Sequence, residues 1–567
     1  MAYEKVTPAD KGGGQIWLGS QTIHASATGD RVAYKAPVAF PGAVGSAFPS
    51  DYLAVASGGQ WTTQPLTPPL ALDPAGADTS QRYGYNAFSR DLRRGVLVHR
   101  DPALVPDATE HVASAYVSEL GPQPHGYRLI TRPLALPPIP AFLYLSMFSP
   151  AIGWVSPTAD RVVFESALPL TPDAPPAGQI SVYEWVDGDV RLVSKLPSGE
   201  TPTANTALGR GSQPSGIKQS QLDRAVSADG SRIIFTVSDG AGFGAFGAAV
   251  VGDVYVRIDG RATVEASASQ RAVPDDPAPA AYLTAARDGS VVFLASCEKL
   301  TDDATASCTA PMKIDVYRYD VDTGELEDLT AAAGAPSFDG VIGADEAGET
   351  LYFGGGDRQV YVWHRGALTT IPATSYRGTI IAGLNWGETS GNQSAVSADG
   401  RFLVFQSVIS ASPDVRDLYL YDRDTEAVRC VSCMPDGSPS VGVSALHPYT
   451  AADTDGGPPP GVVLSSLQRP RNIDDHGRYV FFQTVNPLVP EDTNGRADVY
   501  RYEIATGHVE LISTGKGAFP AFFGDASADG DVVFFSTANR VIEALDHDGL
   551  IDLYAARVGA TPYSPPL

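Results

Sequence analysis

One pattern recurs down this chain, and it restricts the fold more than any other feature. A tight turn of the S-A-D-G kind opens a short apolar run. After a variable loop comes a second strand of the D-V-Y-x-Y kind. The clearest copy reads VSADGRFLVFQS from Val396, then RDLYLYDRDTEAVRCVS from Arg416. VSADGSRIIFTVS from Val226, AARDGSVVFLAS from Ala285, NIDDHGRYVFFQT from Asn472 and ASADGDVVFFST from Ala526 are further copies. Each is followed by its own partner: GDVYVRIDG, IDVYRYDVDTGELEDLT, ADVYRYEIATGHVELIS and IDLYAARV respectively. Weaker copies start at Ala25, Phe88, Ser156 and Gly343. That makes nine, with eight as the alternative count if one weak copy is an insertion.

A repeat of about four strands cannot bury both faces of its sheet alone. Runs such as Val480-Phe481-Phe482 are apolar on both faces, which requires a neighbouring sheet on either side. Closing such sheets into a ring supplies those neighbours and shortens the exposed edges. The 57 glycines and 45 prolines lie mostly between the runs, as turns of an all-β chain. Stacked β-sandwiches would need seven or more strands per unit. The expected fold is therefore all-β: a single closed β-propeller of four-stranded blades over residues 23–558. A segment 1–22 precedes it, a tail 559–567 follows, and the longest insertion covers 434–470. The last copy stops after its third strand, so GQIWLGS (14–20) is expected to supply the outer strand that closes the ring.

The S-A-D-G-x-x-Φ-x-F-x-S … D-V-Y-x-Y-D-x-x-T-G pattern resembles the WD40-like (PD40) repeat of TolB-type propellers, from about Ile23 to Val558. Where that consensus has Pro before Asp-Gly, this chain has Ala228 and its siblings. The resemblance implies the propeller fold. It leaves function open, since such propellers serve as protein-binding scaffolds, carbohydrate-related modules and halves of prolyl-oligopeptidase-like enzymes.

Several activities lack their signatures. No G-x-S-x-G elbow is present, and the repeats run to within about ten residues of the end, so no hydrolase domain is expected beside the propeller. H-E-x-x-H and the P-loop are absent as well. A formal charge of −25 repels phosphate backbones and anionic headgroups, so neither nucleic-acid binding nor membrane insertion is expected.

Cys297 with Cys308 and Cys430 with Cys433 form two close pairs, read as local disulfides ahead of metal or redox use. They favour a secreted or cell-envelope protein, although MAYEKVTPADKGGG is not a signal peptide. Two loops share D-x-[DN]-G-x-x-D: Asp492, Asn494 and Asp498, then Asp546, Asp548 and Asp552. Alternating oxygens around a glycine turn suit calcium, while an Asx-type turn explains the same letters without a metal. Asp229, Asp399 and Asp529 read as turn-capping residues, and His476 and His508 as surface or turn residues. The leading functional expectation is a non-enzymatic exported scaffold that holds a protein or glycan on a loop-lined face. The alternative is a carbohydrate-active hydrolase or lyase with channel-facing carboxylates.

Overall fold

The computed structural model describes residues 1–17, 22–43, 49–69, 84–121, 126–138, 148–209, 224–238, 252–331, 334–357, 359–371, 379–380, 394–409, 412–446 and 469–559. These residues form nine antiparallel sheets, eight built from strands successive in the chain and one completed by a strand from the N-terminal segment. They are the nine blades of a β-propeller, numbered here from the first complete repeat. In the seventh blade the inner strand comes in two pieces, Thr379–Ile380 and Ser394–Val396, both paired with Phe402–Ile409.

Within a blade the second strand is the most apolar. Val532–Thr537 and Val291–Ser296 are buried at every position, because sheets pack on both of their faces. Phe481 of the eighth blade stacks on Phe523 of the ninth with centroids 5.8 Å apart. Each such ring withdrawn from water stabilises the fold by about 2 kcal/mol. Third strands such as Asp498–Glu503 alternate toward their outer ends, where one face meets solvent.

The ring closes through an N-terminal strand, but the strand is Ala2–Lys5 rather than the expected GQIWLGS. Ala2–Lys5 pairs antiparallel with Asp552–Arg557, from Ala2 opposite Arg557 to Lys5 opposite Tyr554. Ile16 and Trp17 instead cross the seam. The Ile16 N–H donates to the Ile551 carbonyl at 3.3 Å and the Trp17 N–H to the Lys35 carbonyl at 3.1 Å. The apolar character that marked 14–17 comes from this buried crossing. AYEK carries charge at two of its four positions, and both are met by partners in the ninth blade, Glu4 by Arg557 at 2.7 Å and Lys5 by Asp552 at 2.7 Å. Residues 18–20 of that expectation lie outside the described residues.

Both cysteine pairs are disulfides, with Cα separations of 4.8 Å for Cys297–Cys308 and 5.7 Å for Cys430–Cys433. Residues 447–468 of the expected insertion, and the Gly/Ala/Phe stretch 241–251, lie outside the described residues.

Candidate functional site

The S-A-D-G turn works as a capping device, as expected. Asp229, Asp399 and Asp529 each accept the N–H two residues on, at 2.9, 3.0 and 3.1 Å. The serine two positions before each donates its hydroxyl to the same carboxylate, at 2.7, 2.6 and 2.6 Å. The turn glycine adopts a left-handed φ, +73° at Gly230 and +70° at Gly530, which a side chain rarely tolerates.

The residue between the serine and the aspartate links one blade to the next. Its N–H donates to the carbonyl of the same position in the following blade. The bonds run Asp475 to Ala528, Ala528 to Ala27, Ala27 to Arg90 and Arg90 to Pro157, at 2.8–3.1 Å. A second series runs Ala228 to Arg287, Arg287 to Glu346 and Glu346 to Ala398, at 2.7–2.8 Å. The belt therefore has a physical use for alanine where the related consensus has proline: a proline has no N–H to give. Pro157 accepts from Arg90 but cannot donate, so among the described residues the belt has no link from the third blade to the fourth; the link from Ala398 of the seventh blade to the eighth is missing as well.

A second set of links uses the fifth residue of the second strand. The Leu208 N–H donates to Glu165 at 2.7 Å, and the Phe523 N–H to Gln483 at 3.0 Å. Gln406 Nε2 donates to the Ser444 carbonyl at 2.6 Å, and Lys35 Nζ to the Tyr85 carbonyl at 3.3 Å. On the innermost strand of the ninth blade, Asp525 accepts the N–H groups of Ala25 and Arg471, each at 2.8 Å. Burial pushes its carboxyl pKa up, and the Arg471 charge works against that shift. Sequence reasoning missed these connectors. Their signal was a polar residue after the apolar run, as in F-E-S, F-Q-S, F-Q-T and Y-K-A.

The two acidic loops are built on one plan with different fillings. In both, a third-strand tyrosine donates to the first aspartate: Tyr500 to Asp492 and Tyr554 to Asp546. In the eighth blade Asn494 Nδ2 donates to Asp498 at 2.8 Å and Ser513 also donates to Asp498. Burial raises the Asp498 carboxyl to about 6 in spite of those bonds. In the ninth blade Asp546, Asp548 and Asp552 bring one oxygen each within 4.8 Å of one another. Two buried lysines stand among them. Lys5 Nζ lies 2.7 Å from Asp552, while Lys11 Nζ lies 2.8 Å from Asp552 and 3.1 Å from Asp548. Burial opposes the Lys11 charge, yet its bonds to Asp552 and Asp548 leave its pKa above the ordinary lysine value. Burial prevails at Lys5 and lowers its pKa against the pull of Asp552. The ring closure is thus also a charge closure.

His476 lies exposed on a turn, and His508 is exposed just after one. A cleft of about 380 Å³ opens at the seam between the third and fourth blades, lined by Arg161, Glu184, Arg191, Asp229, Asp259 and Arg261 among others. Arg161 crosses the seam, donating through one terminal nitrogen to the Asp229 carbonyl at 3.0 Å while its Nε lies 3.2 Å from Glu184.

Among solved structures, the chain is similar to the β-propeller domain of the Trilobed protease from Pyrococcus furiosus. Identity is 10%, TM-score 0.32, over 74% of this chain and 98% of that one. The likeness is one of fold. TolB from Acinetobacter baumannii matches at 15% identity and TM-score 0.25, over 72% of this chain and 77% of TolB. An oligogalacturonate lyase in complex with manganese matches at 13% identity and TM-score 0.31, over 70% and 86%. No family model matches the sequence, and no curated protein does.

Proposed function

We propose that this propeller is a non-enzymatic, exported scaffold that binds a protein or glycan partner on a loop-bearing face. The observation that carries this reading is the employment of four of its buried acids. Asp525, Glu165, Asp498 and Asp552 each hold backbone N–H groups or side-chain donors that join strands or blades. A general acid or nucleophile needs a carboxyl free to meet substrate, and these four are engaged in the fold. The two disulfides support the extracytoplasmic part of the reading, since such bonds persist in oxidising compartments.

The test uses the folded chain as bait against envelope and culture fractions and against a glycan array, with a turnover assay on every glycan retained. Saturable retention without turnover is the expected result. Turnover that is lost on substituting one propeller carboxylate would overturn the scaffold reading in favour of a carbohydrate-active enzyme.

A further inference from the structure

The cleft between the third and fourth blades combines an open belt position with a crossing arginine. The belt has no bond there, because Pro157 lacks an N–H. At several seams the turn glycine packs closely against side chains of the preceding blade, aliphatic at some and arginine or aromatic at others, as Gly289 against Arg232 and Gly530 against Phe481. A Cβ on Gly29 would meet Val532 at 2.8 Å, and one on Gly348 would meet Val291 at 2.8 Å. At Gly230 the neighbour is the Arg161 side chain. Where the backbone link is missing, its guanidinium reaches across the seam to the Asp229 carbonyl.

The chemistry of the lining is unbalanced toward donors. Glu184 sits opposite Arg191 in the strand pairing, and its carboxylate is paired with Arg161. The Asp229 carboxylate already holds Ser227 and Ser231. Arg191 on the third blade and Arg261 on the fourth are exposed, and neither has an ion pair or side-chain hydrogen bond among the described residues. Asp259 is the single lining carboxylate with its acceptors uncommitted. A guanidinium offers five N–H donors and no acceptor, in a fork that matches an oxyanion. A chain of formal charge −25 repels anions over most of its surface, so a donor-rich cleft is where an anionic group can dock.

We propose that this cleft is a binding site for an oxyanion group, a carboxylate or a sulfate, held between Arg191 of the third blade and Arg261 of the fourth, with Arg161 at its floor. The proposal rests on the binding-scaffold reading and names the chemistry that one part of the partner presents. A bound oxyanion also bridges the seam that the belt leaves open, so ligand binding and the stability of that seam are linked.

The test is calorimetric titration of the full chain with sodium sulfate and, separately, sodium glucuronate, at constant ionic strength held with sodium chloride. Thermal unfolding is followed in parallel. Saturable binding and a ligand-dependent rise in Tm are expected, and the stronger of the two arms tells a sulfate source from a carboxylate one. The Arg191→Ala/Arg261→Ala variant should bind at least tenfold more weakly with an unchanged ligand-free Tm, since both side chains are exposed. Arg191→Lys/Arg261→Lys should retain part of the affinity, and Arg132→Ala, remote on the second blade, should retain all of it. Equal affinity in the wild type and the double-alanine variant, or no saturable binding of either anion, overturns the proposal. If a partner is captured and held equally by that double variant, the scaffold reading stands and this site falls. Turnover of a captured glycan would instead sink the scaffold reading and leave the anion titration to be judged on its own.

Discussion

At the scale of single residues, burial decides what each carboxylate does. Asp328 is buried beside Asp315, and its second oxygen has no hydrogen-bond partner. Burial, then the neighbouring Asp315 charge, raises its pKa to about 7. The folded state therefore holds a proton that the unfolded chain releases near the ordinary aspartate range. Folding stability falls as pH rises from about 4 to about 7 and is lowest above that window. Asp328→Asn mimics the protonated form and keeps an oxygen for the Thr330 N–H, which donates to Asp328 at 2.7 Å. Thermal unfolding midpoints from pH 4 to pH 8 should show that variant gaining on the wild type as pH rises. A constant difference across the range would show that Asp328 does not take up a proton on folding. The same residue-level logic was partly legible beforehand. Asp229 and its siblings could be read as caps because their partners lie two residues away. Asp525 could not, because its partners are Ala25 and Arg471.

At the scale of elements, the recurrent turn carries three tasks in four residues. Serine and aspartate close it, glycine supplies the left-handed φ, and the intervening N–H ties it to the next blade. The last task predicts a position-specific intolerance of proline. Ala528→Pro removes the bond from the Ala528 N–H to the Ala27 carbonyl, 2.8 Å long. It should destabilise the fold by about 1 kcal/mol, the usual net worth of one such bond. Pro157 occupies the equivalent site without disrupting its blade, so the cost reflects the lost donor and not a clash. Ala228→Pro should behave alike, and the two costs should add because the sites lie in separate blades. Urea unfolding of the two single variants and the double variant checks this. A double variant as stable as the wild type would remove the belt from the account of ring stability. Periodicity alone revealed the turn and both flanking strands. It could not reveal the belt, because a hydrogen bond between repeats leaves no mark inside either one beyond the presence of a residue with an N–H.

At the scale of the whole molecule, the ring depends on one seam made from the two ends of the described chain. Ala2–Lys5 adds the outer strand to the ninth blade, and Lys5 and Lys11 enter its acidic loop. The Lys11 side chain is fully buried against Asp552, also fully buried. Removing Asp552 leaves both buried lysines without the partner they share, at a cost on the order of 3 kcal/mol. Asp552→Asn should therefore lower Tm sharply. Lys11→Met combined with Asp552→Asn should recover part of the loss, because one buried cation fewer then faces a neutral partner. Recovery measured by thermal unfolding is the outcome to look for. A double variant no better than Asp552→Asn would mean that Asp552 acts through Thr7, which also donates to it, and not through the Lys11 charge.

The class of fold, a count of nine repeats with eight as the alternative, the turn positions and the expected cysteine pairing were legible in the amino-acid sequence. All of these depend on residues near one another in the chain or on the period of the apolar pattern. Tertiary structure alone decided which N-terminal segment closes the ring, since AYEK becomes a strand only when Asp552–Arg557 lies beside it. It also decided what fills the two acidic loops. Their near-identical letters enclose Asn494 and Ser513 in one blade and two lysines from the other end of the chain in the next. The donor-rich cleft has the same origin: Arg191 and Arg261 are seventy positions apart in the chain and meet only because consecutive blades pack face to face.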